Sequence, residues 1–292
     1  MFPDGNPMLR DGQTGDWIGT FLGHKGAVWS ARLTKDASKA VTGSADFTAK
    51  VWDTFTGDAL HSFSHGHIIR SADFSDDGTR IVTGGVEKKL RIFDLYRPDA
   101  PPLEADGHAG TIKSVAFDER RNVILSAGED KVIRVWDLRT FKQVTTLDAD
   151  DAITSMNLSS DGKYITSTAG SHAYFWDASN YHLAKSYVTQ HDVPSVSLHP
   201  DHSRFVAGSM GTDLWVRIYD FETGKELEVY KGHHGAIHTV SYSPDGEIYA
   251  TGSGWHDKAL ADDSRQVVRP LAEQSEGGRE WQWAGLSRWV GL

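Results

Sequence analysis

The chain of 292 residues contains no cysteine. That excludes disulfide staples and thiolate metal sites, and it fits an intracellular home. No run of 18 apolar residues occurs, so no membrane-spanning helix is expected. The first residues, Met1 to Gly12, lack a basic segment followed by an apolar run and do not read as a signal peptide. There is no Gly-x4-Gly-Lys-Ser/Thr loop and no Gly-x-Gly-x-x-Gly opening a helix, so nucleotide chemistry has no support and no cofactor is expected. Positive charge is also short. Thirty Lys and Arg stand against 40 Asp and Glu, a formal net charge of −10. An acidic chain lacks the basic footprint of a general nucleic-acid binder, and no direct sequence-specific contact with nucleic acid is expected. The sequon Asn157-Leu158-Ser159 falls in an expected strand and reads as chance.

What the chain does contain is repetition, which decides the fold before local propensities do. Gly23-His24 opens a unit that closes on Trp52-Asp53. Gly66-His67 leads to Phe93-Asp94, Gly107-His108 to Trp136-Asp137, and Gln190-His191 to Tyr219-Asp220. A degenerate copy ends at Trp176-Asp177, with Asp148-Ala149-Asp150-Asp151 where its Gly-His would stand. Gly232-His233 opens a sixth copy that never reaches its Trp-Asp; the aromatic would fall near Ala261. The closing aromatics at 52, 93, 136, 176 and 219 are spaced by 41, 43, 40 and 43 residues. Within each unit, short runs of β-branched and aromatic residues alternate with polar ones, as at Val28–Leu33, Ile112–Phe117 and Ile237–Tyr242. Turn residues such as Asp76-Asp77-Gly78 and Pro244-Asp245-Gly246 separate them. Pro98 to Pro102 should stay outside the sheet, because proline cannot donate to a ladder.

A period near 42 with Gly-His and Trp-Asp at its ends resembles the WD40 repeat, which builds one four-stranded propeller blade per copy. The expected fold is an all-β WD40 propeller over residues 1–253, with five full blades and two half blades. The N-terminal half blade follows from Asp4 preceding Arg10 by six, as Asp46 precedes Trp52. That makes Pro7–Arg10 a third strand and Asp16–Leu22 a fourth. The C-terminal half blade offers first and second strands. Together the halves complete a shared blade in a closed six-bladed ring, or they remain separate in an incomplete seven-bladed ring; both stay open at this level. Residues 254–292 hold four of the ten tryptophans without blade spacing or helix caps. They read as an irregular or disordered tail, or as non-native coding sequence from a retained intron or shifted frame.

His24, Thr42, Asp46 and Trp52 stand at offsets that His108, Ser126, Asp130 and Trp136 repeat. His, Asp and a hydroxyl are also the parts of a hydrolase triad. A catalytic group does not need several copies at the blade period, so these residues are expected to form a structural hydrogen-bond network, and no enzyme activity is expected. Five of the 14 histidines (24, 67, 108, 191, 233) are the repeat histidine. The pairs His65/His67 and His234/His238 have ligand-like spacing but no further ligands, so no metal site is expected. Trp17 and Trp215 lie outside the closing-aromatic position and are candidate partner anchors. Trp29, in an alternating first strand, reads rather as packing. Arg120-Arg121, and Glu87-Lys88-Lys89 with Arg91, are either contacts for an acidic partner or solvated faces.

Wording that blade geometry does not dictate narrows the resemblance. The stretches from Asn6 to Trp29 and from Ala45 to Asp53 are similar to the serine/threonine kinase receptor-associated family, also called unrip, which is seven-bladed. Ser197 to Asp201 and Tyr230 through Ser253 share that similarity, which covers about residues 4–253. It implies a protein-binding scaffold, cytoplasmic and nuclear, with the survival-motor-neuron complex and Sm-type proteins as partners in spliceosomal assembly, and a role at kinase receptors in animals. The alternative scaffold is the i subunit of translation initiation factor three. A propeller-based enzyme is the alternative of another class.

Overall fold

The computed structural model describes residues 5–12, 14–211, 214–233 and 235–253, together with the backbone of 267–270 and 288–290. Twenty-six strands form seven antiparallel sheets. Five sheets are complete blades of four strands. Blade 1 holds β3 (Val28–Leu33), β4 (Lys39–Ser44), β5 (Thr48–Asp53) and β6 (Ala59–Ser64). Blade 2 holds β7 (Ile69–Phe74), β8 (Arg80–Gly85), β9 (Lys89–Asp94) and β10 (Leu103–Asp106). Blade 3 holds β11 (Ile112–Asp118), β12 (Val123–Gly128), β13 (Val132–Asp137) and β14 (Gln143–Asp148). Blade 4 holds β15 (Ile153–Leu158), β16 (Tyr164–Ala169), β17 (His172–Asp177) and β18 (Leu183–Val188). Blade 5 holds β19 (Asp192–Leu198), β20 (Arg204–Met210), β21 (Val216–Asp220) and β22 (Glu226–Tyr230).

The remaining two sheets have three strands each. β1 (Met8–Asp11) and β2 (Trp17–Thr20) pair with each other, and β1 pairs on its other side with β26 (Arg288–Val290). β23 (Ile237–Tyr242) and β24 (Ile248–Ser253) pair, and β24 then pairs with β25 (Val267–Pro270). The two half blades therefore do not share a sheet. The free edge that each offers takes a strand from the last 40 residues instead, and the arrangement is seven separate sheets. Apart from β25 and β26, residues 254–292 lie outside the described residues, and so does the expectation of an irregular tail.

The first strand of each blade is innermost. β3 packs beside β7, β7 beside β11, β11 beside β15, β15 beside β19, and β19 beside β23. Serine hydroxyls link these inner strands from blade to blade. Ser30 accepts from the Ala72 amide at 3.1 Å, Ser71 from the Val115 amide at 3.1 Å, and Ser195 from the Val240 amide at 3.1 Å. Ser114 donates to the Met156 carbonyl at 2.8 Å. Each bond satisfies a polar group that the inner strand would otherwise bury unpaired.

The hydrophobic core is divided into layers between neighbouring sheets, as the modest apolar content requires. Val41, Val51 and Phe63 of blade 1 meet Ile69, Phe74 and Phe93 of blade 2. Leu125, Ile133 and Val135 of blade 3 meet Ile153, Met156 and Ile165 of blade 4. Phe175 of blade 4 packs with Phe205 and Phe221 of blade 5. Leu9 and Phe21 at the N-terminal sheet cover Ala40 and Trp52 of blade 1. Gly84 shows why a small residue ends the second strand. A Cβ there would come within 2.6 Å of the Ile112 side chain in the next blade. The same approach recurs at Gly43 to Ile69 and at Gly208 to Ile237.

Candidate functional site

In blade 1 the loop before β3 carries His24, β4 carries Thr42, the following turn carries Asp46 and β5 carries Trp52. The four side chains form one bonded chain. His24 Nδ1 lies 2.8 Å from Asp46 Oδ2, and His24 Nε2 lies 2.7 Å from Thr42 Oγ1. Trp52 Nε1 donates to Thr42 Oγ1 at 2.8 Å. A carboxylate only accepts, so Nδ1 carries the imidazole proton and Nε2 accepts from the Thr42 hydroxyl, whose oxygen then accepts from the indole. Burial lowers the pKa of His24, against the opposing effect of Asp46. Burial alone would raise Asp46, but bonds from Thr48, the Lys25 amide and His24 outweigh it and hold the carboxyl at about 2. The pair is thus a neutral imidazole donating to a carboxylate rather than two opposite charges.

Blade 3 repeats the geometry. His108 Nδ1 is 2.9 Å from Asp130 Oδ2, His108 Nε2 is 2.7 Å from Ser126 Oγ, and Trp136 Nε1 donates to Ser126 Oγ at 2.8 Å. The aspartate of each Trp-Asp pair stands apart from this chain. Asp53 Oδ1 accepts from the amides of Phe55 at 2.8 Å and Thr56 at 3.0 Å, and Asp137 Oδ1 accepts from Arg139 at 3.0 Å and Thr140 at 2.8 Å. These bonds cap the turn into the fourth strand.

The other blades keep fragments of the network, and one expectation needs correction. In blade 2 the histidine in register is His65, not His67. His65 Nε2 lies 2.9 Å from Thr83 Oγ1, with the same separation of 18 residues as His24 and Thr42. His67 instead accepts from the Ile68 amide at 2.8 Å and packs its ring 5.3 Å from Phe47. Blade 2 does not complete the chain, because Phe93 has no N–H and Glu87 bonds to Arg91. In blade 5, Ser195 opposes Gly208 as Ser30 opposes Gly43, which puts Ala207 in the hydroxyl position. Thr189, His191, Ala207 and Tyr219 line a small cleft there. In blade 4 Trp176 Nε1 donates to Ser167 Oγ at 3.0 Å, while Tyr174 donates to Asp150 Oδ2 at 2.7 Å in place of the missing histidine. In the sheet of β23, β24 and β25 only His233 Nε2 and Thr251 Oγ1, at 2.8 Å, are seen among the described residues.

His65 makes the pH response testable. Burial and then the Arg91 charge push its pKa down from 6.5 to about 4. The unfolded chain takes up that proton near pH 6.5 and the folded chain only near pH 4. The stability held above pH 6.5 is therefore lost as pH falls from 6.5 towards 4, up to about 3 kcal/mol. The pKa values of His24 and His108 are also lowered and add in the same direction. Urea unfolding at pH 7.0 and 4.5 should show a smaller drop for His65→Asn than for the unaltered chain. Equal drops would remove His65 from this account.

The residues singled out for partners differ in exposure and in what they bond. Trp17 is 61% exposed on β2, with its Nε1 donating to Thr20 Oγ1 at 3.1 Å. Trp215 is half-buried under two cations, with Lys231 Nζ 4.0 Å and the Arg217 guanidinium 5.2 Å from its ring centroid. Arg120 is spent on a neighbouring blade, donating to the carbonyls of Asp161 and Ser160. Arg121 pairs with the buried Asp118 at 2.7 Å. The basic run of blade 2 is likewise internally neutralised. Arg91 bonds Glu87 and Glu104, Lys89 bonds Glu104 at 3.0 Å, and Lys88 donates to the Ala109 carbonyl at 2.7 Å. Among the described residues no group of three or more His, Cys, Asp and Glu side chains is placed to hold a metal ion. Nor is any helix long and apolar enough to cross a membrane.

Comparison with known proteins narrows what this surface serves. The model of the nucleolar protein 10-like N-terminal domain matches residues 23–175, and the WD domain, G-beta repeat, matches 183–220 and 224–260. The serine-threonine kinase receptor-associated protein of Dictyostelium discoideum is 52% identical over 251 residues, which are 86% of this chain and 85% of that protein. The Homo sapiens protein of the same name is 48% identical over 250 residues, 86% of this chain and 71% of the other. Eukaryotic translation initiation factor 3 subunit I of Culex quinquefasciatus is 28% identical over 277 residues, 85% of this chain and 84% of its own length.

Proposed function

We propose a function from one premise: the chain belongs to the serine-threonine kinase receptor-associated protein family of WD40 propellers. It acts as a non-catalytic scaffold that holds partner proteins against the exposed loops and rim of its blades. The observation that carries this reading is the use made of the His, Asp and hydroxyl groups. They are bonded within repeated units rather than gathered once around a reacting centre. By resemblance to the family, the partners are survival-motor-neuron and Sm-type proteins during spliceosomal assembly, in the cytoplasm and nucleus. The relatives' name adds a kinase receptor as a partner class where the host has one.

A role like that of the initiation-factor subunit is the second reading, favoured only by the lower identity of 28%. Size-exclusion chromatography of the purified chain, mixed in turn with reconstituted Sm-type assemblies and with initiation-factor subunits, separates the two. Co-elution with the first set is the expected result. Co-elution with the second set alone would replace the assembly reading by the translational one.

A further inference from the structure

The inner strands carry, one residue before Ser30, Ser71, Ser114, Ser155, Ser195 and Thr239, Trp29 on β3, Arg70 on β7, Lys113 on β11, Thr154 on β15, Pro194 on β19 and His238 on β23. These positions ring one mouth of the central channel, on the side of the His24 and His108 loops. Trp29 and Arg70 form its most developed part. The Arg70 guanidinium lies 3.8 Å from the Trp29 ring centroid, a stacked cation–π contact. Both groups are half-buried, and the Trp29 indole nitrogen is fully buried without an acceptor. No carboxylate is bonded to Arg70 among the described residues, although most other arginines here are bonded to one. Glu129, whose charge acts on Arg70, is taken by Lys113 at 2.7 Å. A flat guanidinium held on an aromatic face, with no carboxylate of its own among the described residues, is a donor fork open to an acceptor.

Three residues further along, the channel is closed. Arg32 on β3 reaches across it to donate to Asn157 on β15, linking blades 1 and 4, and Asp73 on β7 accepts from the Phe117 amide at 3.0 Å. The mouth is therefore a shallow well with a polar floor.

We propose that this well receives a single acidic side chain, a carboxylate or a phosphoryl group, presented by a partner peptide. The guanidinium of Arg70 takes the acid in a two-bonded fork, as planar arginine does with both groups. The Trp29 face holds that fork flat. Lys113 and Glu129 neutralise each other and set the rim.

The proposal rests on the scaffold reading, and two separate measurements keep their failures apart. Capture of partners by the unaltered chain decides whether it is a scaffold. Fluorescence anisotropy decides the well, using the purified full chain and short labelled peptides that differ at one central residue: glutamate, phosphoserine or glutamine. An acidic peptide is expected to bind and the glutamine peptide is not. Arg70→Gln should weaken the acidic peptide about 10- to 100-fold, the loss typical of a charged hydrogen-bonded contact. Arg70→Lys keeps the charge and the fold but loses the fork, and should weaken it about tenfold. Lys89→Gln, an equal charge change on the outer rim, should leave binding within about twofold. Preference for glutamate or for phosphoserine identifies which acid the partner carries. Equal binding by all three peptides, no binding by either acidic one, or retention of full affinity by Arg70→Lys would overturn the proposal.

Discussion

Trp52→Ala should lower the unfolding free energy by about 3–5 kcal/mol, the range for truncating a buried aromatic to alanine. Trp52 has no exposed surface. Its ring sits 5.4 Å from Phe21 and 5.7 Å from His24, and its edge would lie 3.3 Å from a Cβ at Gly23, which explains a glycine before the histidine. It therefore joins the N-terminal sheet to blade 1 as well as closing the hydrogen-bonded chain within that blade. Removing it leaves a cavity between two sheets and strips the Thr42 hydroxyl of its donor. Denaturant melts followed by circular dichroism would read the change as a lower midpoint. A cost below about 1 kcal/mol would mean that the sheet interface collapses around the gap, contrary to the packing described.

The second large effect isolates the hydrogen bonds from the packing. Thr42→Val keeps the volume and β-branching but removes the hydroxyl. His24 Nε2 and Trp52 Nε1, both bonded to it, then remain buried without partners. Each orphaned group costs about 1–3 kcal/mol, so the variant should lose about 2–5 kcal/mol. Ser126→Ala should do the same in blade 3, where His108 and Trp136 depend on one oxygen. A double-mutant cycle of Thr42→Val with Trp52→Phe tests the assignment. The two losses should be strongly sub-additive, because the phenylalanine has no N–H left to orphan. Additive losses would mean that the hydroxyl and indole do not depend on each other.

The contrast among blades explains which parts of this architecture a linear reading can find. The tetrads of blades 1 and 3 are legible because a loop histidine, a strand hydroxyl, a turn aspartate and a strand tryptophan recur at constant offsets. His65 was obscured by the adjacent Gly66-His67, which matches the opening motif better than it matches the geometry. The 18-residue step back from Thr83 carries the correct signal. Blade 5 was obscured differently. His191 and Ser209 keep that step, yet the ladder register puts Ala207 in the place of the hydroxyl. The partners of the half blades' edge strands were not legible either, since β25 and β26 lack the repeat wording. Contacts across the ring are the least accessible of all. Arg32 and Asn157 are 125 residues apart, and Arg70 stacks on Trp29 only because two inner strands are neighbours. Trp29 read along β3 looks like packing; its unpaired N–H appears only in three dimensions.

Charge shows the same limit. The clusters around Arg120 and Lys88 look like docking patches in one dimension. In the fold they are used inside and between blades, where exposed pairs contribute little and the bonds to carbonyls fix loops. Arg70 is isolated in the sequence and has no basic neighbours to attract notice, yet it is held on an aromatic face with no carboxylate of its own among the described residues.

The role proposed for this chain is that of a folded, repeat-bonded scaffold for proteins. Affinity purification from cells with quantitative mass spectrometry, run on the unaltered chain and on Thr42→Val, tests it most directly. Survival-motor-neuron and Sm-type proteins should co-purify with the unaltered chain and fall in proportion to the folded fraction of the variant. Recovery of chaperones alone with the unaltered chain, or undiminished recovery with a largely unfolded variant, would contradict it.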